Sequence, residues 1–99
     1  QRSGDWLPGV SANVYFYSAF LYMIAQQTGY VPYELVHNVA DAHVYVNQID
    51  AAKEYLSRGN YDSPKLILNK ANSIFDYKVS DFSIIDYFPG EKIKVPVEV

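Results

Sequence analysis

Between Ser11 and Thr28 apolar residues recur at helical spacing. Val14, Tyr17, Leu21 and Ile24 make one stripe, and Phe16, Phe20 and Met23 widen it. Ser11 is placed to cap the start of this helix and Gly29 to stop its end. A helix this apolar around its circumference needs something larger than itself to bury it, and 99 residues leave little other chain to do so. Ahead of it, Gly4, Pro8 and Gly9 punctuate a short strand or arm running into a loop. From Val36 to Val46 the period drops to two. Val36, Asn38, Ala40, Ala42, Val44 and Val46 face one way, and His37, Val39, Asp41, His43 and Tyr45 the other.

Asn47, with Asp50 three residues on, has the spacing of a capping box and opens a second helix. That helix turns Ile49, Ala52 and Leu56 inward and stops at Gly59. A polar loop follows from Gly59 to Ser63. Strand-like runs then occupy Lys65 to Leu68, Phe82 to Tyr87 and Ile93 to Val97, the last two parted by Phe88-Pro89-Gly90. No internal repeat or linker interrupts this order. The predicted class is α+β.

Composition narrows the picture. Hydrophobic residues make up 49% and charged residues 19%, which excludes disordered, low-complexity and collagen-like chains. A net charge of -3, without any run of Lys or Arg, argues against a DNA partner or a membrane surface. The apolar stretch Val14 to Ala25 is too short and too Tyr-rich to span a bilayer. With no Cys, a disulfide scaffold, a thiolate zinc site and a thiol nucleophile are all excluded within these residues. The chain opens on Gln1-Arg2-Ser3 with neither an initiator Met nor a signal-peptide pattern, so it reads as a processed or excised segment.

Three clusters carry candidate chemistry. Asp41, His43 and Tyr45 share one side of a strand over roughly 13 Å, at about 3.3 Å per residue. The neutral hydrogen-bonding tips of His43 and Tyr45 suit a sugar hydroxyl, and the same pattern also describes a polar strand facing solvent. His37, Asp41 and His43 are metal-ligand types but are spread along the strand, so no metal is expected. Arg2-Ser3 sets a guanidinium fork beside a hydroxyl, a phosphate clamp or else an ordinary surface arginine. Asn13, near a helix start, can cap locally or read a base edge through its paired donor and acceptor. No Ser-His-Asp order, phosphate loop or paired Glu motif appears. Residue chemistry alone points to a small nucleotide-like ligand.

The fragments together resemble the C-terminal part of the thymidylate synthase family. The resemblance runs through Gln1-Arg2-Ser3, Asp5, Gly9, Asn13, Asp41-Ala42-His43-Val44-Tyr45 and Asn47. It continues in Leu56-Ser57-Arg58, Pro64-Lys65-Leu66, Ser73-Ile74-Phe75-Asp76-Tyr77, Asp81-Phe82 and Ile93-Lys94-Val95-Pro96-Val97. The fold it implies is a mixed sheet with a long buried helix, here only in its C-terminal part. The activity it implies is reductive methylation of dUMP to dTMP with 5,10-methylenetetrahydrofolate and no metal. A Cys attacks C6 of the pyrimidine, C5 takes a one-carbon unit from the folate, and hydride transfer from the folate to that unit then gives dTMP and dihydrofolate. In the family that Cys lies about twenty residues before the Gln-Arg-Ser motif, so these 99 residues alone are expected to be inactive.

The resemblance also assigns roles. Arg2 and Ser3 would hold the nucleotide phosphate, Asn13 the uracil ring, and His43 with Tyr45 the 3'-hydroxyl of the deoxyribose. Asp5 would contact the pterin of the folate, while the backbone near Gly9 and the tail from Val97 to Val99 would close over it. The expected partners are dUMP, folate, the missing N-terminal half and a second copy in a homodimer whose partner subunit also reaches the phosphate. The expected location is the cytoplasm.

Departures from the family pattern gather on the folate side. Pro8-Gly9-Val10-Ser11-Ala12-Asn13 stands for Leu-Gly-hydrophobe-Pro-Phe-Asn, Gly4 for a Cys or other small residue, Gln48 for a common His, and Glu98 adds a charge to the tail. At roughly 25 cal/mol per Å2, losing even about 50 Å2 of apolar folate wall removes about 1 kcal/mol. Two alternatives follow: a pyrimidine nucleotide hydroxymethylase, acting on dUMP or dCMP, and a non-catalytic nucleotide-binding domain. Asn13 favours uracil, since the cytosine-using relatives tend to carry Asp there.

Overall fold

A computed structural model of the chain describes residues 1–98, and Val99 lies outside them. The chain divides into two units. One takes Gln1–Tyr15, Val36–Asn60 and the chain from Gly90 onward, and the other takes Phe16–Leu35 and Tyr61–Pro89.

In the first unit β1 (Ser3–Asp5) lies parallel to β2 (Asp41–His43), with Ser3 opposite Asp41, Gly4 opposite Ala42 and Asp5 opposite His43. Two backbone bonds, Ala40 N–H to the Gln1 carbonyl and Asp41 N–H to the Arg2 carbonyl, both at 3.0 Å, carry the pairing toward the N-terminus. A parallel pair needs a long crossover, and here the connection includes α1 (Ser11–Thr28). Gly4 is buried in the middle of β1. A Cβ there would meet Val10 Cγ2 at 2.9 Å and Val39 Cγ1 at 3.2 Å, so the close approach of these two valines requires glycine.

Several expected boundaries shift, each for a local reason. The alternation from Val36 to Val46 yields only the three-residue β2, because β1 gives way at Trp6 to a π-helical turn, Trp6–Val10, and offers nothing further to pair with. That turn, rather than a loop, leads straight into α1. Ser11 already has helical angles (φ -61°, ψ -42°) and therefore does not cap the helix. Asn47 does not cap either. It lies inside a 3-10 turn, Val46–Gln48, that leads into α2 (Ile49–Ser57), and its amide donates to Glu98 Oε1 at 2.7 Å.

Helix α2 buries no residue, and Ile49 and Leu56 are exposed rather than turned inward. It ends at Ser57, where Arg58 becomes extended and pairs with Glu54 at 2.7 Å. Ile93 to Val97 forms no strand. Pro96 has no N–H to give a ladder, and its carbonyl is held by the Gln48 side chain instead.

In the second unit β3 (Lys65–Leu68) runs antiparallel to β4 (Phe82–Ile85), preceded by a 3-10 turn at Val79–Asp81. The strand expected to reach Tyr87 stops at Ile85, because Asp86 takes a positive φ of 56°. Both pairing senses of a mixed sheet are thus present, in two separate two-stranded sheets.

Gly29 ends α1 as expected. Its φ of 75° lets Tyr30 N–H reach back to the Ala25 carbonyl at 3.0 Å, a Schellman arrangement. Ala25 is the helix's one buried residue, while Phe16 is 66% exposed and Tyr17 and Phe20 are exposed as well. The apolar surface of α1 that the sequence marks for burial is therefore left open by the described residues. None of the described helices is long and apolar enough to cross a membrane.

Candidate functional site

Every predicted site residue except Val99, which lies outside the described residues, belongs to the first unit. The parallel register puts the start of β1 beside the start of β2. Ser3 Oγ is 3.5 Å from Asp41 Oδ2, a long hydrogen bond, and the neighbouring Arg2 is exposed. Among the described residues the Arg2 guanidinium forms no ion pair, so its fork is free for an anion.

The expectation that Asp41, His43 and Tyr45 share one side survives the early end of β2. His43 Nδ1 lies 3.2 Å from the Asp41 carbonyl and 3.7 Å from Asp41 Oδ1. The His43 and Tyr45 rings meet edge to face at 5.2 Å between centroids. His43 is thus oriented from both sides, through Nδ1 by Asp41 and through its ring by Tyr45. Beside it lies an open hollow of about 350 Å3 lined by Trp6, Ala42, His43 and Val44. Asn13 sits half-buried in the first turn of α1, joined to β1 by the Trp6–Val10 turn.

The folate-side expectations fall on Asp5 and Gly9. Asp5 closes β1 opposite His43. Its Oδ2 accepts from Gln48 Nε2 at 3.4 Å, and its Oδ1 is buried with no hydrogen-bond partner among the described residues. A buried, unpaired acceptor is costly to leave unmade, so Asp5 has the disposition of a group awaiting a donor. At Gly9 a Cβ would meet only Asp5 Cβ at 3.8 Å, an ordinary contact, so packing inside this chain does not require glycine there. His37 bonds Gln1 Oε1 through Nε2 at 2.8 Å, and no group of three His, Cys, Asp or Glu among the described residues is placed to hold a metal.

Two residues stand out beyond those the sequence pattern indicates. Gln48, which the sequence marks only as a departure from the family, is completely buried. Its spacing of three residues after Tyr45, ahead of a helix, is that of a capping glutamine, and this was the available signal. Trp6, the only tryptophan, lines the hollow beside His43 while remaining half exposed. Nothing in its sequence surroundings signals that.

The family model described as thymidylate synthase matches residues 1–99. Thymidylate synthase of Leuconostoc mesenteroides is 46% identical over 100 residues, covering all of this chain and 31% of the relative. That of Mycoplasma mobile is 44% identical, covering all of this chain and 35% of the relative. The solved thermostable thymidylate synthase A from Bacillus subtilis superimposes with a TM-score of 0.91 at 36% identity, over 97% of this chain and 35% of that one.

The fold is therefore that of part of an α+β thymidylate synthase domain. The chain belongs to the thymidylate synthase family, and it spans about a third of the length of the relatives it matches.

Proposed function

We propose that these residues are the nucleotide- and folate-binding C-terminal part of a thymidylate synthase that converts dUMP to dTMP. The observation that carries this reading is the β1–β2 register. It brings the Arg2-Ser3 pair to the same end of the parallel strands as Asp41, from which His43 and Tyr45 follow on one side. In the proposed site Arg2 binds the dUMP phosphate through a bidentate, charge-assisted contact, and Ser3 supports it. His43 and Tyr45 hold the deoxyribose 3'-hydroxyl, with His43 kept in orientation by Asp41. Asn13 faces the pyrimidine, where its amide offers both a donor and an acceptor to uracil.

The co-substrate proposed is 5,10-methylenetetrahydrofolate, which supplies both the one-carbon unit and the hydride. The donor set fits it, because the unpaired Asp5 Oδ1 requires an N–H and a pterin carries several. Gly9 and the tail through Val99 would border the same ligand. The nucleophilic Cys would come from outside these residues, which contain none. A homodimer, whose partner subunit would complete the phosphate site, and a cytoplasmic location belong to the same reading.

Calorimetric titration of dUMP into the intact protein that carries these residues tests the reading at Arg2. Arg2→Ala should weaken binding by about 2–3 kcal/mol, roughly 30- to 150-fold. Equal affinity for dUMP in both proteins would remove Arg2 from the phosphate site.

A further inference from the structure

Gln48 is the one buried polar residue among those described, with no accessible surface at all. A buried amide is costly unless its inventory is met, and here it nearly is. Nε2 gives one hydrogen to Asp5 Oδ2 at 3.4 Å and the other to the Pro96 carbonyl at 2.9 Å. Oε1 accepts from the Tyr45 backbone N–H at 3.2 Å. A single planar group thus joins three segments: the residue whose ring packs on His43, the end of β1, and the C-terminal stretch. Both Asp5 oxygens are part of this picture. One is held by Gln48, and the other is buried and left without a partner.

We propose that Gln48 is a positioning residue for the folate side of the site. By holding Asp5 Oδ2 it fixes the carboxylate so that Oδ1 stays available to an N–H donor of a reduced pterin, and by holding Pro96 it ties the C-terminal stretch to the same point. The residue type matches the task. A carboxylate at this position would set two like charges about 3.4 Å apart and could donate to neither Asp5 nor Pro96. An apolar side chain would leave the Asp5 carboxylate free to rotate and would strip the donor from the Pro96 carbonyl. The amide alone offers two donors and an acceptor without charge. Tyr45 is joined only through its backbone, so the ring contact with His43 does not depend on this amide.

This inference rests on the thymidylate synthase reading, and its test separates the two. Binding of tetrahydrofolate to the intact protein saturated with dUMP is measured by calorimetry, alongside dUMP binding and the melting temperature. The variants are Gln48→Met, which keeps volume and removes the donors, and Gln48→Asn, which keeps the amide but shortens its reach and remains informative if the Met variant does not fold. Each should weaken tetrahydrofolate about tenfold and leave dUMP within twofold. In an Asp5→Ala background the added loss should shrink to about threefold or less, because only the tie to the Pro96 carbonyl is then left to lose.

Unchanged tetrahydrofolate affinity in the variants that fold would overturn the positioning role while leaving the proposed function standing. So would a matching loss of dUMP and tetrahydrofolate binding, which marks a merely structural amide. Failure of the unsubstituted protein to bind tetrahydrofolate would overturn the proposed function itself, and this inference with it.

Discussion

In both units glutamine side chains donate to backbone carbonyls, yet the two networks end differently. In the second unit Gln26 Nε2 donates to the Leu68 carbonyl at 3.0 Å, and Gln27 Nε2 donates to the Ala71 carbonyl and to Tyr77 Oη, both at 2.9 Å. The Tyr77 hydroxyl in turn donates to Gln26 Oε1. Each participant finds a partner, and the result is a tie between α1 and the segment around β3. In the first unit Gln48 uses both donors and its acceptor, though two of the bonds are longer, at 3.2 and 3.4 Å, and its network runs into Asp5, whose Oδ1 has no partner among the described residues. A closed network holds a fold together. One that ends on a buried, unpaired carboxylate oxygen leaves an acceptor available, and that end lies among the residues proposed to bind ligand.

Substitutions in the intact protein test the difference between the two networks. The largest effect on stability is expected at Gly4, where a methyl group would sit 2.9 Å from Val10 Cγ2, on a stiff β-branched side chain. Gly4→Ala should cost about 1–3 kcal/mol, read as a lower urea midpoint, and an unchanged midpoint would show that Val10 yields freely. Gln27→Met in the second unit should cost about 1–2 kcal/mol by removing two donors from part-buried acceptors, with dUMP affinity within twofold. A parallel fall in dUMP affinity would erase the distinction between the closed and the open network. The smallest effect belongs to Asn47→Ala. It removes one exposed hydrogen bond to Glu98 and should cost about 0.5 kcal/mol, with the KM for folate changing less than threefold. A tenfold rise would make Glu98, rather than Gln48, the main tether of the tail.

Much of this was legible in the residues, and the misses share a cause. The bounds of α1 and β3 follow from spacing and from Gly29, because those signals are local. The shared side of Asp41, His43 and Tyr45 follows from a period of two even though β2 ends at His43. The long strand from Val36 and the strand at Ile93 to Val97 failed because strands need partners, and partners are set by tertiary structure. Ser11 and Asn47 failed as caps because in each case the chain enters the helix from a preceding helical turn, which only the folded backbone reveals. The exposure of Phe16, Tyr17 and Phe20 is the reverse case: their pattern calls for a cover that the described residues do not provide. Gln48 was visible as an unusual residue, but that it is buried against Asp5 is a fact of folding.

If these residues serve the methylation of dUMP, as proposed, the mass of the reaction product will show it. The intact protein would be incubated with dUMP and 5,10-methylenetetrahydrofolate, and the nucleotide analysed by mass spectrometry with dihydrofolate followed in parallel. dTMP and dihydrofolate should form in equal amounts. A hydroxymethylated nucleotide without dihydrofolate, or no modified nucleotide at all, would contradict the proposal.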